Sequence, residues 1–182
     1  VAANSDSPSA VLPDKNSKIW TIDYVNYVEA DHVEDTHRGF FEEFKALGLV
    51  EGRDYRMNMK NAQGDMATLT AIVDAELTSR PDLILLTSTP TLQAVIQKIK
   101  DIPVIFSNVS NPIVAGAGKS NEDHLPNVTG ISSQHDWEGM VKMLQQCVPH
   151  ARRIGTLFCP SEINSAYGKE CFEKAVHAAG LE

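Results

Sequence analysis

Four consecutive apolar residues stand in the stretch Pro81-Asp-Leu-Ile-Leu-Leu-Thr-Ser-Thr-Pro90. A short apolar run between a proline and a turn-forming segment predicts a strand that is buried on both faces of a parallel sheet. Pro90 favours the first turn of a helix, and apolar side chains continue at helical spacing to Ile99. A buried strand followed directly by a helix is the repeating unit of an α/β fold.

The same unit recurs on both sides of this stretch. Apolar runs and alternating patterns predict further strands, and apolar residues at helical spacing predict helices between them. The predicted strands are 18–24, 55–60, 83–86, 103–106, 128–131 and 153–158, and the predicted helices are 35–47, 66–77, 90–99, 137–148 and 165–179. Strands that alternate with helices of about a dozen residues predict right-handed crossovers and a doubly wound parallel sheet.

The sequence divides into one complete lobe and part of a second. Residues 1–17 are small and polar, which predicts a flexible leader and fits the start of an exported protein. Residues 18–127 are predicted to form an N-terminal lobe, and residues 128–132 to cross a hinge. Residues 133–182 supply one strand and two helices, too few to cover their own apolar faces. We therefore expect a partial C-terminal lobe that contacts a second copy of the chain, or packs on the first lobe in an unusual arrangement.

Charge and composition exclude several partners. The chain of 182 residues has a formal net charge of -8 and a pI near 5.2. An acidic chain without a cluster of lysine and arginine repels phosphate backbones, so nucleic acid is not an expected partner. No apolar run approaches the ~20 residues that span a bilayer. The three cysteines, Cys147, Cys159 and Cys171, fit no zinc module and are expected to be buried as small apolar residues.

No motif for an enzyme or a cofactor is complete. Gly118-Lys119-Ser120 resembles the end of a phosphate-binding loop, but Ile113 stands where that motif requires a glycine. The chain has no nucleophile elbow, no zinc-protease motif, and no glycine-rich turn after the first strand to receive a dinucleotide. We therefore expect neither catalysis nor a cofactor.

One polar segment, Glu29-Ala-Asp-His-Val-Glu-Asp-Thr-His37, contains residue types that can ligate a divalent metal. Its spacing matches no defined ligand motif. An acidic first helical turn, which complements the helix dipole, accounts for the same residues. We favour the helical turn and expect no metal site.

Polar and aromatic residues follow the predicted strands at their carboxyl ends, where open parallel sheets bind ligands. Tyr24 ends the first strand, Ser88 and Thr89 follow the third, and Asn108 and Ser110 follow the fourth. Thr89 is expected to cap the helix that Pro90 begins, and the amides of such a helix terminus suit a ligand carboxylate. The same residue types end strands and cap helices in many proteins, so a purely structural role for each stays open.

Several short stretches, in order along nearly the whole chain, resemble the ABC-transporter substrate-binding proteins of the tryptophan and tyrosine uptake type. The matching stretches include Arg38-Gly-Phe40, Asn61-Ala-Gln-Gly-Asp65, Ile102-Pro-Val-Ile-Phe106 and Asn127-Val-Thr-Gly-Ile131. The resemblance implies the two-lobed architecture of type I periplasmic binding proteins. It also implies that a small solute is captured between the lobes and delivered to an ABC permease in the membrane, with the protein in the periplasm or another extracytoplasmic compartment.

An alternative stays open, because the same lobes also serve as ligand-sensing extracytoplasmic domains of membrane signalling receptors. The sequence that follows Glu182 in the gene distinguishes the two.

The resemblance also implies a set of site residues. Tyr24 and Glu29 would line the wall of the first lobe, and Ser88 and Thr89 would hold an anionic group. Ser110 and Asn111 would lie near the hinge and face Asn164 and Ser165 from the second lobe. With Asn108 these are the expected ligand-binding residues.

The chain departs from the family at two positions of this set. It has Ala30-Asp31 where relatives often have His-Pro, and Asn111-Pro112 where they often have Asp-Pro. We expect a carboxylate-bearing solute such as an aromatic amino acid, with its ring stacked on Tyr24. We also expect it to place no cationic group beside Asn111.

Overall fold

Five parallel strands form a single sheet in the order β2-β1-β3-β4-β5 in the computed structural model, which describes residues 18–182. The predicted leader, residues 1–17, lies outside the described residues. The strands are β1 (Trp20–Asn26), β2 (Tyr55–Asn61), β3 (Leu83–Thr87), β4 (Val104–Val109) and β5 (Val128–Ser132). The helices are α1 (Asp31–Ala46), α2 (Met66–Ser79), α3 (Thr89–Lys98), α4 (Trp137–Cys147) and α5 (Ile163–Ala178).

Helices cover both faces of the sheet, which confirms the predicted doubly wound α/β fold. On one face Tyr24, Tyr55 and Leu85 pack against the aromatic side chains of α1. On the other face the remaining sheet residues pack against α2 and α3; Val25, Leu69, Ile84, Leu86, Leu92, Val95, Val104 and Phe106 belong to this core. Strand β3 is buried on both faces, as its continuous apolar run predicts.

The strand order reverses between β1 and β3. The chain leaves β1 towards β2 on one side and returns past it to β3 on the other. The loops that follow β1 and β3 therefore diverge and leave a crevice at the carboxyl ends of these strands. Crevices at such a switch point are the usual ligand sites of open α/β sheets.

The residues after β5 form a separate small cluster. Val141 of α4 packs with Phe172 and Val176 of α5 and with Leu181 near the end of the chain. Asp136 caps α4 through a hydrogen bond of 2.9 Å from the amide of Gly139 to its carboxylate. This helix pair follows β5 through a short extended link.

The predicted strand 153–158 is wrong as a strand. Its backbone bonds only the last residue of the chain: the amide of Ile154 donates to the carbonyl of Glu182 at 2.6 Å, and the amide of Glu182 donates to the carbonyl of Arg152 at 2.9 Å. Beyond these two bonds the described residues pair with no other part of the segment as a ladder. A strand requires a partner, and Leu157 is fully exposed to solvent.

Two smaller expectations are also corrected. Helix α1 begins at Asp31, so the acidic segment is its first turn, one turn earlier than the predicted start. Cys147 and Cys159 are exposed rather than buried, and all three cysteines are free thiols. None of the described helices is long and apolar enough to cross a membrane.

A buried charge cluster, which the sequence did not reveal, links β1, β2 and α2. The ammonium of Lys60 lies 2.6 Å from a carboxylate oxygen of Asp23 and 2.8 Å from one of Glu76. The side-chain amide of Asn58 donates to the other oxygen of Asp23 at 2.6 Å. Asp23 and Glu76 are 1% and 0% exposed, so this cluster is part of the core rather than of the surface.

Candidate functional site

The ends of β1 and β3 are tied together at the switch point. The hydroxyl of Thr87 donates to the side-chain oxygen of Asn26 at 3.1 Å, and the amide of Val28 donates to the same oxygen at 3.2 Å. Asn26 and Thr87 are both buried. These bonds fix the direction in which the loop after β1, with Glu29, and the start of α3 leave the sheet.

Ser88 is the residue before α3 and has an unusual backbone conformation. Its φ of 78° and ψ of 152° lie in a region that residues with a side chain seldom adopt. The prediction that Thr89 caps the helix is wrong, because the helix begins at Thr89 and Ser88 occupies the cap position. The Ser88 hydroxyl bonds the Thr91 hydroxyl at 3.0 Å instead of a backbone amide. Backbone strain of this kind concentrates at ligand sites.

Asn108, at the end of β4, shares this feature with a φ of 54°. Its side-chain amide donates to the hydroxyl of Thr36 at 2.8 Å and to the carbonyl of His32 at 3.3 Å. Its side-chain amide nitrogen is therefore already hydrogen-bonded to α1. The left-handed backbone redirects the chain at the carboxyl edge, towards Ser110.

Asn111 shapes the loop after β4. Its side-chain oxygen accepts hydrogen bonds from the amides of Ile113 and Val114, at 3.0 and 3.1 Å. This oxygen is engaged in a local turn, which leaves the side-chain nitrogen as the group available to a ligand.

A cavity of about 330 Å³ lies between Ser110 and the helix pair. It is lined by the aromatic side chains His135, Trp137, Phe158, Tyr167 and Phe172, and by the polar residues Ser110, Gln134, Thr156, Glu162, Asn164, Ser165 and Lys169. We call it the aromatic cavity. The rings of His135 and Trp137 meet edge to face with their centroids 5.0 Å apart, and those of Trp137 and Phe172 are 6.1 Å apart. Flat apolar walls with few polar groups are typical of small-molecule sites.

The polar residues of the aromatic cavity differ in whether their polar atoms already have hydrogen-bond partners. The Ser165 hydroxyl accepts a hydrogen bond of 2.8 Å from the amide of Cys159, which holds the segment before α5 in place. The side-chain oxygen of Asn164 is buried and has no hydrogen-bond partner among the described residues. Such an acceptor is costly unless a ligand or water donates to it.

A second cavity of about 90 Å³ lies between α1 and the first two strands. We call it the small cavity. Its lining residues are Tyr24, Asn26, Glu29, Val33, Glu34, His37, Met59, Lys60 and Asn61. The side-chain amide of Asn61 donates to the carboxylate of Glu29 at 2.7 Å.

The prediction that the ring of Tyr24 stacks on a solute is wrong. Tyr24 is 1% exposed, and its ring packs against His37 and Phe40 with centroids 5.1 and 6.3 Å apart. Strand alternation points this side chain towards α1 and into the core.

The predicted site residues therefore fall into three groups. Ser110, Asn164 and Ser165 line the aromatic cavity, and Tyr24 and Glu29 line the small cavity. Ser88, Thr89, Asn108 and Asn111 line neither of these two cavities. The sequence reasoning missed the aromatic wall, although Tyr167, one turn after Asn164 on α5, was a usable signal. Within residues 18–182 no three histidine, cysteine or acidic side chains are grouped to hold a metal.

Comparison with known protein families matches residues 21–182 to the family described as ABC transporter substrate binding protein. The chain belongs to this family. A tyrosine-binding protein of Clostridioides difficile is 33% identical over 138 residues, which are 76% of the chain and 40% of that relative. The chain therefore spans about two fifths of the length of this substrate-binding relative.

Solved structures of similar proteins have the same fold. A conserved domain protein from Vibrio cholerae is 27% identical with a TM-score of 0.85, covering 91% of the chain and 56% of that protein. A substrate binding protein with adhesive properties from Clostridium difficile, in a ligand-free open state, is 29% identical with a TM-score of 0.72, covering 90% and 56%. An ABC domain from Streptococcus pneumonia in complex with L-Trp is 24% identical with a TM-score of 0.85, covering 90% and 55%.

The high TM-scores also indicate how the helix pair, α4 and α5, is placed. A match over nine tenths of the chain leaves too few unmatched residues to omit the helix pair, so α4 and α5 follow the arrangement seen in that solved structure. The expectation of an unusual packing onto the first lobe is wrong. A contact between two copies of the chain through residues 133–182 stays a prediction.

Proposed function

We propose that this chain is the solute-binding part of an extracytoplasmic component of an ABC importer, and that it takes an aromatic amino acid without catalysing a reaction. The observation that carries this proposal is the aromatic cavity between Ser110 and α5. Family membership and the tyrosine-binding relative support it. The permease partner and the periplasmic or equivalent location rest on the family alone.

The aromatic cavity has the chemistry that an aromatic amino acid requires. A volume of about 330 Å³ is at the lower end of the range of small-molecule sites, about 300–1,000 Å³. Trp137 and Tyr167 offer ring contacts worth about 1 kcal/mol each beyond simple burial. The unpaired oxygen of Asn164 suits an N–H or O–H donor of the solute. Outside the lining of this cavity, the start of α3 beside Ser88 is a second feature that favours a carboxylate, by ~0.5 kcal/mol.

We expect aromatic amino acids to bind the full-length protein in calorimetric titrations, and the Tyr167→Ala variant to bind them at least about fivefold more weakly, because one ring contact of about 1 kcal/mol is lost. Met143→Ala is the matched control, since Met143 is exposed on α4 and does not line the aromatic cavity. Binding of a neutral sugar in place of any amino acid would contradict the proposal, as would turnover of a candidate substrate.

Asn111→Asp tests the second expectation about the solute. The carboxylate can accept the two turn amides as the amide oxygen does, so the loop should keep its shape. The change replaces the free side-chain nitrogen with a negative oxygen, and we expect a carboxylate-bearing solute to bind at least about fivefold more weakly, a loss of about 1 kcal/mol. Gln146→Glu, which adds the same charge to an exposed position of α4, controls for net charge. Equal or tighter binding by the Asn111 variant would mean that this side chain does not face the solute's charge.

A further inference from the structure

The small cavity contains two buried polar atoms that lack partners among the described residues. These are the hydroxyl oxygen of Tyr24 and Nε2 of His37. Both residues line the cavity, and their rings lie 5.1 Å apart. A buried polar atom without a hydrogen bond costs about 1–3 kcal/mol. Two such atoms beside the same cavity indicate that something in it bonds them.

The charge around these atoms is negative. Burial is the main cause that raises the pKa of Tyr24; the Thr87 side chain opposes that rise, although its hydroxyl lies outside hydrogen-bond geometry, and Glu29 adds to it. Burial is also the main cause that lowers the pKa of His37, and Glu29 opposes it. The carboxylate of Glu29 therefore acts on both side chains, and both are neutral at pH 7.

No positively charged side chain among the described residues neutralises this negative charge. Lys60 lines the cavity, but its ammonium is bound to the buried carboxylates of Asp23 and Glu76 on the other face of the sheet. Glu34 adds a second carboxylate to the lining and has no ion pair among residues 18–182. Within residues 18–182, the side-chain amide of Asn61 is the one hydrogen-bond donor to Glu29.

We propose that the small cavity binds a primary ammonium group, which donates to the carboxylate of Glu29, the hydroxyl oxygen of Tyr24 and Nε2 of His37. A primary ammonium has three N–H donors, and these residues supply three acceptors. The Tyr24 hydroxyl oxygen can accept one of these bonds.

Size and ligand chemistry favour an ammonium over the alternatives. A volume of about 90 Å³ is far below the ~300 Å³ at which ordinary small-molecule sites begin, so the cavity suits a small alkylammonium better than an aromatic ring. A divalent metal is disfavoured because the described residues bring no three ligating side chains together. The ammonium belongs either to a free small amine or to the solute itself, and only the second source rests on the proposed function.

Methylammonium chloride is the probe for the site. We expect it to raise the thermal unfolding midpoint of the full-length protein in a saturable way and to shift the ring resonances of His37. Sodium chloride at equal ionic strength, and tetramethylammonium chloride, which has no N–H donor, should do neither. Glu29→Gln should weaken methylammonium binding at least tenfold, because a charge-assisted bond becomes a neutral one.

Tyr24→Phe separates binding from folding. Without amine, removal of an unpaired buried hydroxyl should leave stability unchanged or higher, while methylammonium binding weakens several-fold. Tyr27→Phe is the control, because the Tyr27 hydroxyl donates to the carbonyl of Gly64 at 2.6 Å and Tyr27 does not line the small cavity. A clear loss of stability in Tyr24→Phe without amine would mean that water already satisfies the hydroxyl, and would overturn the proposal.

The source of the ammonium is tested with L-tyrosine and 3-(4-hydroxyphenyl)propionate, which lacks the amino group. Tenfold weaker binding of the second compound, with the difference abolished by Glu29→Gln, assigns the ammonium to the solute. Equal binding of both compounds, with methylammonium still active, assigns it to a free amine. If methylammonium acts no differently from sodium, the site proposal fails while amino acid binding can still stand. If methylammonium binds but no amino acid does, the proposed function fails and the ammonium site stands.

Discussion

Replacing Lys60 by methionine should lower the free energy of unfolding by about 3–5 kcal/mol at pH 8, because the change leaves two buried carboxylates without a cation. Methionine has nearly the same length as the lysine stem, so the loss reports on charge and not on packing. Asp23 and Glu76 come from β1 and α2, and Lys60 of β2 lies between them. Breaking such a pair is costly because a buried charge remains unpaired.

The protonation of this buried charge cluster determines how the effect depends on pH. Burial raises the pKa of Glu76 to about 7, helped by the hydrogen bond it shares with Asp23. Burial also acts to raise the pKa of Asp23, but hydrogen bonds with Glu76, Lys60 and Asn58 outweigh it and keep that pKa below its ordinary value. Below about pH 7, and above the pH at which Asp23 itself takes up a proton, the pair therefore holds one proton on Glu76, while Asp23 is ionised and faces Lys60.

The stability contributed by the Glu76 proton decreases as the pH rises. The folded pKa of about 7 lies above the ordinary value of 4.5, so the folded state binds the proton more tightly than the unfolded chain does. This contribution is complete below about pH 4.5 and is lost as the pH rises through about 7. A shift of that size amounts to about 3 kcal/mol. The Lys60→Met variant should accordingly lose less stability at pH 5 than at pH 8.

Two further variants test whether the buried charges cause the effect of Lys60→Met. Glu76→Gln should resemble the parent protein at pH 5 and be more stable than it at pH 8, because an amide needs no proton to remain uncharged. Lys98→Met removes an ion pair to Asp74 that is largely exposed, and we expect a loss below about 1 kcal/mol. Urea denaturation at both pH values measures all three. If Lys60→Met and Lys98→Met cost the same at pH 8, the buried charge cluster does not carry the stability assigned to it.

The main elements of the fold could be predicted from the sequence because they depend on local patterns. The four apolar residues after Pro81 identify β3, and Phe40, Phe41 and Phe44 identify the buried side of α1. The segment 153–158 has an equally good apolar pattern and forms no ladder, because pairing depends on a neighbour that local sequence does not specify.

The candidate site could be predicted only in outline. Ser110 follows β4 at the carboxyl edge, where parallel strands bring their ends together, and it lines the same cavity as Asn164 of α5. That either residue binds a solute stays a prediction. The burial of Tyr24 was missed, because its strand position fixes which face it occupies and the sequence did not say which helix covers that face. The charge cluster was missed for a related reason: Lys60 and Glu76 meet only after α2 folds back over β2.

Gly130 is the position at which one added methyl group should have the next largest effect. It lies on β5 opposite Phe106 of β4. A Cβ at Gly130 would lie 2.2 Å from the backbone oxygen of Phe106 and 2.6 Å from the first ring carbon of its side chain. A backbone oxygen within a sheet cannot rotate away, so β5 would have to move off β4.

We expect Gly130→Ala to cost at least about 3 kcal/mol in urea denaturation, at the upper end of overpacking effects. Gly39→Ala is the matched control: Gly39 is a helical position in α1 with nothing within 4 Å of an added Cβ, and the change should add up to about 1 kcal/mol of stability. The two substitutions are chemically identical, and their effects on stability should have opposite signs.

Strand β5 also leads to the helix pair, since the amide of Ser133 donates to the carbonyl of Val109 at 2.9 Å just after β5 ends. Displacing β5 should therefore move Trp137 relative to Ser110 and weaken solute binding in whatever fraction of the variant still folds. Parent-like stability of Gly130→Ala would mean that β5 does not pair with β4 in this register.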